Sequence, residues 1–352
     1  MAQIPLDVLH SFCCDMLAAV GVPTADATLT ADSLVQADAR GLGSHGLARL
    51  LPQYIQRLQR GSTRIQPEIQ LVRTTNAAAL IDGGGGLGQV VGHAAMVQAI
   101  GLAQRAGVGI VGVRNSSHFG TGAFFVEQAV RAGMIGMALT NAPANMPPAG
   151  GRARYFGTNP IAVGIPCGAE YPIVLDMATS VVARGKIVMA EKEGAAIPPG
   201  WAIDEHGMPT EDAAAALRGA VLPMAGYKGS GLAFVIDALS GVLTGAAFGA
   251  HIVDLYSDSD EVQNVGHFFI AIAVETFLPL DLFTARMDLF VREVRAQPRQ
   301  PGVERIYLPG EREYELAALS RRSGVSISEA SLRELDACAA ELQVESLSQR
   351  IG

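Results

Sequence analysis

Apolar residues recur with a helical period through the first sixty positions, with short turn-forming breaks between them. The first predicted helix runs from Leu6 to Val20, and Thr24 with Asp26 caps a second helix that runs towards Ala39. A third helix is predicted to begin just after residue 46 and to end at residues 61–62, because apolar side chains follow at i, i+3 and i+4 spacing. Those side chains are Leu47, Leu50, Leu51, Tyr54, Ile55 and Leu58. The N-terminal part of the chain is therefore predicted to be helical.

From residue 77 the pattern changes to short apolar runs that alternate with helical stretches. The runs at 78–82, 107–113, 135–139, 161–165, 173–176 and 266–274 are typical of buried strands. Helices are predicted at 89–106, 122–132 and 229–243, and the segment 310–343 is predicted to be helical with one polar face. This mixture predicts a fold of the α/β or α+β class.

The composition agrees with an enzyme of that class. The chain has 352 residues, of which 49% are hydrophobic, 17% are charged and 40 are glycine. Such a chain buries a large core, and its length indicates about two domains. The net charge of −8 comes without any cluster of lysine and arginine, which argues against a nucleic-acid partner.

Targeting and metal-binding signals are missing from the sequence. The first residues lack a basic segment followed by an apolar one, and the most apolar stretch, 268–274, is too short to span a bilayer. The four cysteines form no C-x-x-C pair, and the histidines form no H-x-x-x-H pair. The sequence predicts a cytoplasmic protein with no membrane partner and no metal site.

A run of glycines lies between a predicted strand and a predicted helix. Residues 83–88 satisfy the G-x-G-x-x-G pattern of a Rossmann dinucleotide site. However, a glycine run matches that pattern by chance, and the next strand ends at Val113-Arg114-Asn115 without an acid to hold a ribose. The preferred interpretation is a flexible glycine turn near the active site, and a Rossmann site is the alternative.

The most suggestive local cluster is Ser44-His45 with Arg49 four residues after the histidine. A helical i, i+4 spacing places His45 and Arg49 on one face. An imidazole titrates near neutrality and can pass a proton to a developing alkoxide, while a guanidinium binds a carboxylate through two parallel hydrogen bonds. The alternative is a capping serine, a surface histidine and a solvated arginine.

Two further segments open helices and carry candidate polar groups. Residues 115–122 follow a strand, and the backbone N–H groups of such junctions bind anions. His118 in this segment is a candidate second acid–base group or a cofactor contact, with a structural histidine as the alternative. Lys228 lies among glycines and resembles a phosphate-binding loop, although the Walker spacing is absent.

Several strings occur in order over nearly the whole chain: Ser44-His45-Gly46, Asp82-Gly83 to Gly88-Gln89, Asn115-Ser116-Ser117-His118-Phe119-Gly120, Phe156-Gly157-Thr158-Asn159-Pro160, Asp176-Met177-Ala178-Thr179-Ser180, Gly185-Lys186-Ile187, Lys228-Gly229-Ser230-Gly231, Gly266-His267-Phe268-Phe269 and Pro309-Gly310-Glu311. Together they resemble the type-2 malate/L-lactate dehydrogenase family. That family also contains ureidoglycolate, sulfolactate and diketogulonate oxidoreductases and the piperideine- and pyrroline-2-carboxylate reductases.

The resemblance implies a non-Rossmann fold. The cofactor would bind to a domain with a mostly antiparallel sheet flanked by helices, formed by residues 118–289. Residues 1–117 together with 290–352 would form a helical domain for substrate binding and dimerisation. The resemblance also implies a homodimer with its active site near the domain and subunit boundary.

Site residues carried over from the family fall into two groups. On the substrate side, His45 would be the proton donor, Ser44 its relay partner and Arg49 the clamp on the substrate carboxylate, with Thr158 nearby. The implied cofactor contacts are His118, Phe119, Gly120, Thr121, Gly122, Asp176, Met177, Ala178, Lys228, Leu308, Pro309, Gly310, Glu311 and Arg312. In ureidoglycolate-type members the residue that matches His118 is regarded as the proton acceptor, so the two histidines compete for this role.

The implied activity is hydride transfer between NAD or NADP, with NAD favoured, and a small 2-oxo or 2-hydroxy acid. Imine-reducing members carry an aspartate of the proton relay where this chain has Lys186. A lysine does not replace that charge, which favours the hydroxy-acid branch and makes Lys186 a candidate substrate-side residue. An imine reductase that acts on cyclic or N-alkyl imino acids is the alternative.

Overall fold

A computed structural model describes residues 2–351 of the chain. Its helices are α1 (Leu6–Ala19), α2 (Thr24–Ala39), α3 (Leu47–Arg60), α4 (Gly88–Ala106), α5 (Ala123–Arg131), α6 (Arg184–Lys192), α7 (Ala213–Arg218), α8 (Tyr227–Asp237), α9 (Leu280–Arg295), α10 (Glu311–Ser323), α11 (Glu329–Glu341) and α12 (Leu347–Ile351). Its strands are β1 (Ala2–Ile4), β2 (Gln70–Thr74), β3 (Ala78–Asp82), β4 (Val108–Ser116), β5 (Met134–Thr140), β6 (Ile161–Ile165), β7 (Ile173–Met177), β8 (Ala202–Ile203), β9 (Pro209–Thr210), β10 (Ala220–Val221), β11 (Val265–Ala273) and β12 (Val325–Ile327).

A seven-stranded sheet forms the centre of the molecule, in the order β2-β3-β4-β11-β5-β6-β7. Only β3 and β4 pair in parallel, and each of the other neighbouring pairs is antiparallel. The prediction of a mixed α/β fold with a mostly antiparallel sheet flanked by helices is therefore confirmed.

Side-chain alternation along the strands gives the sheet two apolar faces. On one face Val111, Val113 and Phe269 pack with apolar residues of α4 and α5. On the other face Ile110 and Phe268 pack against Ile236 of α8. After Asp237 this last helix continues as a π-helical segment, Ala238–Val242.

A separate apolar core lies among the helices at the two ends of the described chain. Helices α1, α2 and α3 pack there with α11 and α12, and β1 pairs with β12. The apolar stripe predicted for α3 is confirmed at Leu47, Leu51, Tyr54, Ile55 and Leu58, which are all buried. The side chain of Leu50 lies outside the part of the chain that the structure describes.

The central sheet takes strands from both sides of position 117. Strands β2, β3 and β4 precede that position, and they continue the sheet that β5, β6, β7 and β11 form after it. The predicted boundary between residues 117 and 118 thus falls inside the sheet rather than beside it. The division of the chain into a helical and a cofactor-binding domain stays a prediction.

The glycine run of residues 83–86 is buried rather than a flexible exposed turn. The N–H groups of Gly83 and Gly85 donate to the carbonyls of Arg114 and Asn115, and that of Gly84 donates to Asp82. A Cβ on Gly86 would lie 2.5 Å from the ring of Pro67. The expectation of a flexible turn was wrong because the segment before β2 covers the run and neighbouring backbone satisfies its amides.

Candidate active site

Ser44 and His45 lie in a turn immediately before α3, as predicted. The carboxylate of Asp38 on α2 accepts a hydrogen bond of 2.7 Å from the N–H of Leu47, the first residue of α3. Gly46 passes so close that a Cβ there would lie 1.7 Å from an Asp38 oxygen. Burial raises the pKa of Asp38 to about 7. Asp38 therefore positions the turn that carries His45, although nothing in the sequence spacing links the two.

His45 and His118 form the centre of the candidate site. The Oγ of Ser44 lies 3.0 Å from Nδ1 of His45, and the two imidazole rings stack with centroids 5.9 Å apart and planes 23° apart. Burial lowers the pKa of His45. The pKa of His118 falls to about 3, because its ring is buried and because His45 and His267 lie nearby. Two histidines from distant parts of the chain thus share one site, and both are neutral at physiological pH.

Tyr54 and Gln89 extend this pair into a buried hydrogen-bonded chain. The hydroxyl of Tyr54 lies 2.8 Å from Nδ1 of His118, and the side-chain amide of Gln89 donates to that hydroxyl at 2.8 Å. Periodicity assigned Tyr54 only to the apolar stripe of α3. A buried tyrosine needs a partner for its hydroxyl, and this requirement is the one signal that points to a polar role for Tyr54.

Arg49 lies on the first turn of α3, with its guanidinium carbon 4.7 Å from the centre of the Tyr256 ring. Within residues 2–351 it forms no ion pair with a carboxylate. Stacking on an aromatic ring holds the plane of a guanidinium and leaves its N–H edge available. Arg49 is therefore held by an aromatic ring, and its role as a carboxylate clamp stays a prediction.

A cleft of about 250 Å³ brings together residues that sequence reasoning assigned to the cofactor. Asp176 lies there with Leu308, Pro309, Gly310 and Arg312, and Arg40, Tyr307 and Tyr314 also line the cleft. Oδ2 of Asp176 accepts a bond of 2.8 Å from the N–H of Ala123, at the start of α5. Burial raises the pKa of Asp176 to about 6, although hydrogen bonds from the N–H groups of Ala123 and Gly122 and the charge of Arg40 act to lower it.

Glu311 is adjacent to the cleft, but its carboxylate is turned into the protein. It is buried, forms ion pairs with Arg295 and Arg305, and accepts a bond of 3.1 Å from the N–H of Leu308. Because both oxygens have protein partners, this side chain fixes the 305–311 turn.

The segment 118–122 is anchored by aromatic stacking. Phe119 is buried, and its ring stacks on His267 with centroids 4.7 Å apart. Ser116 and Thr140 hold the two ring nitrogens of His267 at 2.8 Å each. Gly120 has φ +82°, a conformation that favours glycine, and Gly122 caps α5. His118 is thus presented by a rigid loop, and sequence reasoning gave His267 no role in that arrangement.

The remaining predicted residues lie on two surface helices and the loops that support them. The N–H of Thr179 donates to the carbonyl of Thr158, and the N–H of Met224 donates to the carbonyl of Thr179. These bonds connect Thr158 and the residues after β7, which ends at Met177 and is followed by Ala178, to the loop before α8. Lys228 on α8 and Lys186 on α6 are exposed. Among residues 2–351 neither lysine has an acidic partner.

No group of three or more histidine, cysteine, aspartate or glutamate side chains within residues 2–351 is arranged to hold a metal ion. In the same part of the chain, every helix is too short or too polar to cross a bilayer.

A family model described as malate/L-lactate dehydrogenase matches residues 4–336. A malate dehydrogenase of Pyrococcus abyssi is 38% identical over 98% of this chain and 96% of its own length. The ureidoglycolate dehydrogenase (NAD(+)) of Escherichia coli is 37% identical over 88% of both chains. A (2R)-3-sulfolactate dehydrogenase (NADP(+)) of Chromohalobacter salexigens is 36% identical over 92% of this chain and 94% of its own.

Solved structures show the same similarity. The sulfolactate dehydrogenase of Methanocaldococcus jannaschii superposes with a TM-score of 0.92 at 38% identity, and the match covers 100% of both chains. The Δ1-piperideine-2-carboxylate reductase of Pseudomonas syringae has a TM-score of 0.86 at 30% identity, over 96% of this chain and 100% of that one.

Proposed function

The chain belongs to the malate/L-lactate dehydrogenase family and is an NAD(P)-dependent oxidoreductase of 2-hydroxy acids; we propose that His45 is its proton-transferring residue and Arg49 its carboxylate clamp. The observation that carries this proposal is the Ser44–His45 pair followed, four residues later, by an arginine that has no carboxylate partner among residues 2–351. A small 2-oxo acid presents a planar carboxylate and, two atoms away, the oxygen that must gain a proton. This arrangement matches the substrate class at both ends.

The proposed role of His45 follows from its pKa and its partner. Because burial keeps the imidazole neutral at physiological pH, His45 accepts the hydroxyl proton when a 2-hydroxy acid is oxidised. In the reverse direction it returns that proton to the substrate oxygen. Ser44 orients the ring through Nδ1. The bound pyridine nucleotide supplies or accepts the hydride, and Arg49 holds the substrate so that its reacting carbon stays in one position.

Residues of the 250 Å³ cleft would hold the cofactor. They suit a dinucleotide chemically: Arg312 is an exposed cation over the Tyr307 ring at 4.2 Å, and Asp176 supplies a hydrogen-bond acceptor further in. The loop 118–122 borders the cleft through Ala123. The buried, internally bonded glycines at 83–86 are left out of the proposed cofactor site. NAD and NADP are both cofactors of named relatives, and NAD stays favoured for this chain.

An imine reductase is the second candidate, and the structural similarity to a piperideine-2-carboxylate reductase keeps it testable. It is less supported, because the relatives with higher identity are hydroxy-acid dehydrogenases and because this chain has Lys186 in place of the relay aspartate. A screen of 2-oxo acids and piperideine-2-carboxylate with NADH and NADPH tests the choice. Faster reduction of piperideine-2-carboxylate than of any 2-oxo acid would refute the hydroxy-acid proposal.

His45→Ala tests the proton role. We expect a loss of about 10² to 10⁴-fold in kcat, the usual contribution of general acid–base catalysis, while NAD(P)H still binds with wild-type affinity. Fluorescence titration of the bound nicotinamide measures that affinity. The matched comparison is His118→Ala. If His45→Ala keeps most of kcat and His118→Ala loses it, His118 is the proton-transferring residue.

We also propose that the enzyme is a homodimer formed through the outer face of α8. That face and the segment after it expose Tyr227, Leu232, Phe234, Val235, Val242, Leu243 and Phe248. Lys228 is the single exposed charged residue between positions 226 and 250. Exposed apolar surfaces of this kind are typical of protein interfaces, and a second copy offers an equally uncharged face to a chain with net charge −8.

Sedimentation equilibrium tests the dimer. We expect the wild type at twice the chain mass of 36.7 kDa and Val235→Lys at the chain mass itself. Leu289→Lys, which changes an exposed apolar residue of α9, is the control. A monomeric wild type, or a dimer that survives Val235→Lys, would contradict the proposal. The cytoplasmic location expected from the sequence stays a prediction.

A further inference from the structure

Two hydrogen-bonding groups contact Nδ1 of His118, and a third group holds one of these two. The Tyr54 hydroxyl lies 2.8 Å from Nδ1, and the N–H of Gly120 donates to the same nitrogen at 3.4 Å. The Gln89 amide reaches the other side of the Tyr54 oxygen at 2.8 Å. Tyr54 and Gln89 are both buried, so water does not compete for these positions.

Counting protons fixes the direction of the chain. A backbone N–H only donates, so the Gly120 contact requires a lone pair on Nδ1. With a lone pair on Nδ1, the Tyr54 hydroxyl is the donor in its 2.8 Å contact with that nitrogen, and the Gln89 amide donates to a lone pair of the Tyr54 oxygen. Since both donors point at one nitrogen, the proton of the neutral imidazole must be on Nε2.

We infer that Tyr54, oriented by Gln89, fixes His118 as the neutral tautomer with Nε2–H, so that His118 acts as a hydrogen-bond donor to the substrate oxygen and not as the catalytic base. Tyr54 and Gln89 are positioning residues in this scheme. The inference rests on the proposed function for the identity of the substrate oxygen, but the tautomer itself does not depend on it.

The surroundings of His118 keep it in this form. The titratable groups that face it are His45, which stacks on it, His267 and Tyr54. Burial of its ring lowers the pKa of His118, and the neighbouring His45 and His267 imidazoles lower it further, to about 3. Burial also raises the pKa of Tyr54, so its hydroxyl keeps the proton that it donates.

His45 differs in the one respect that matters for proton transfer. Its Nδ1 partner is the Ser44 hydroxyl, which rotates and can either donate or accept. His45 can therefore change its protonation state without losing that bond, whereas protonation of Nδ1 on His118 would bring an N–H against two donors. The competition between the two histidines is thus decided by their partners: His45 transfers the proton, and His118 holds the oxygen.

The direct test measures the tautomer. In long-range ¹⁵N–¹H correlation spectra of histidine-labelled, cofactor-free protein, protonated and unprotonated ring nitrogens have well-separated shifts. The signals of His118 are assigned by their loss in His118→Asn. Between about pH 5 and pH 9 we expect an unprotonated Nδ1 and a protonated Nε2. A protonated Nδ1 in the wild type would overturn the inference, and this result is independent of any activity.

Tyr54→Phe tests the positioning role. This substitution keeps the ring and removes the donor, so we expect His118 to populate both tautomers and kcat to fall by about 2- to 10-fold, the effect of one hydrogen bond. The KM for the cofactor should stay within about twofold of the wild type. Tyr171→Phe removes an exposed hydroxyl, keeps the ring that stacks on Tyr314 and leaves His118 and its partners unchanged, so it is the control. A Tyr54→Phe enzyme with wild-type kcat and an unchanged His118 tautomer would overturn the role of Tyr54.

Discussion

Arg49→Lys separates the shape of the substrate clamp from its charge. In the proposed complex the guanidinium binds the substrate carboxylate through two parallel hydrogen bonds, and Tyr256 holds its plane from 4.7 Å away. Lysine keeps the charge but forms neither the parallel pair nor the same stack. One charged hydrogen bond contributes roughly 1.5 to 3 kcal/mol, so KM for the 2-oxo acid should rise about 10- to 100-fold.

Steady-state kinetics at saturating NAD(P)H measure this effect, with kcat expected to change much less than KM. Arg60→Lys is the matched control, because Arg60 lies on the same helix and pairs with the exposed Asp258. Tyr256→Leu removes only the ring and should raise KM by about 2- to 5-fold, since an exposed cation–π contact contributes about 0.5 to 1 kcal/mol. A KM for Arg49→Lys within twofold of the wild type, or an equal rise in Arg60→Lys, would refute the clamp.

Three further predictions concern pH, the glycine run and substrate choice. The pKa of Asp38 is about 7 in the folded protein and ~3.9 in the unfolded chain. Between these values the folded state binds one more proton than the unfolded state. The free energy of unfolding should therefore fall as pH rises from about 4 to 7. Urea titrations should show a smaller fall in Asp38→Asn; an identical fall would contradict this. Lys228→Ala should weaken cofactor binding more than Gly85→Ala does, as measured by fluorescence titration, and cofactor phosphates found against residues 83–88 would refute the prediction. Lys186→Asp should raise kcat/KM for piperideine-2-carboxylate relative to kcat/KM for 2-oxo acids, because an aspartate favours a cationic iminium. An unchanged ratio would show that position 186 does not determine the choice between ketone and imine substrates.

Local patterns in the sequence predicted the elements whose side chains repeat with a clear period. The strand at 161–165 and the start of α3 after residue 46 agree with the structure. Strands β1 and β12 were missed because three residues carry too little alternation, and β2 was missed because all five of its residues are exposed. Helix α9 was also missed, since its mixed face has few buried positions.

The candidate site was predictable where one string carried several chemical groups, as Ser44, His45 and Arg49 do. It was not predictable where the partners come from distant elements. Tyr54 contacts His118, which is 64 positions later in the chain, and Gln89, which is 35 positions later on another helix. Asp38 reaches Leu47 only because α2 packs on α3. Glu311 stays a predicted cofactor contact, but its carboxylate pairs with Arg295 and Arg305, sixteen and six positions earlier, and no motif in its string indicated these partners.

The pairing of β1 with β12 sets the order in which the two cores can form during synthesis. The last strand of the central sheet, β11, ends at Ala273, so the ribosome releases every strand of that sheet well before residues 325–327 emerge. The helical core around α1 and α3 lacks β12, α11 and α12 until then, so its apolar side chains cannot be fully buried before those elements are present. His45 and Arg49 therefore gain their final support later than the sheet does. A free chain that ended near residue 300 would contain every strand of the central sheet but would lack β12, α11 and α12, which complete the core under the substrate clamp.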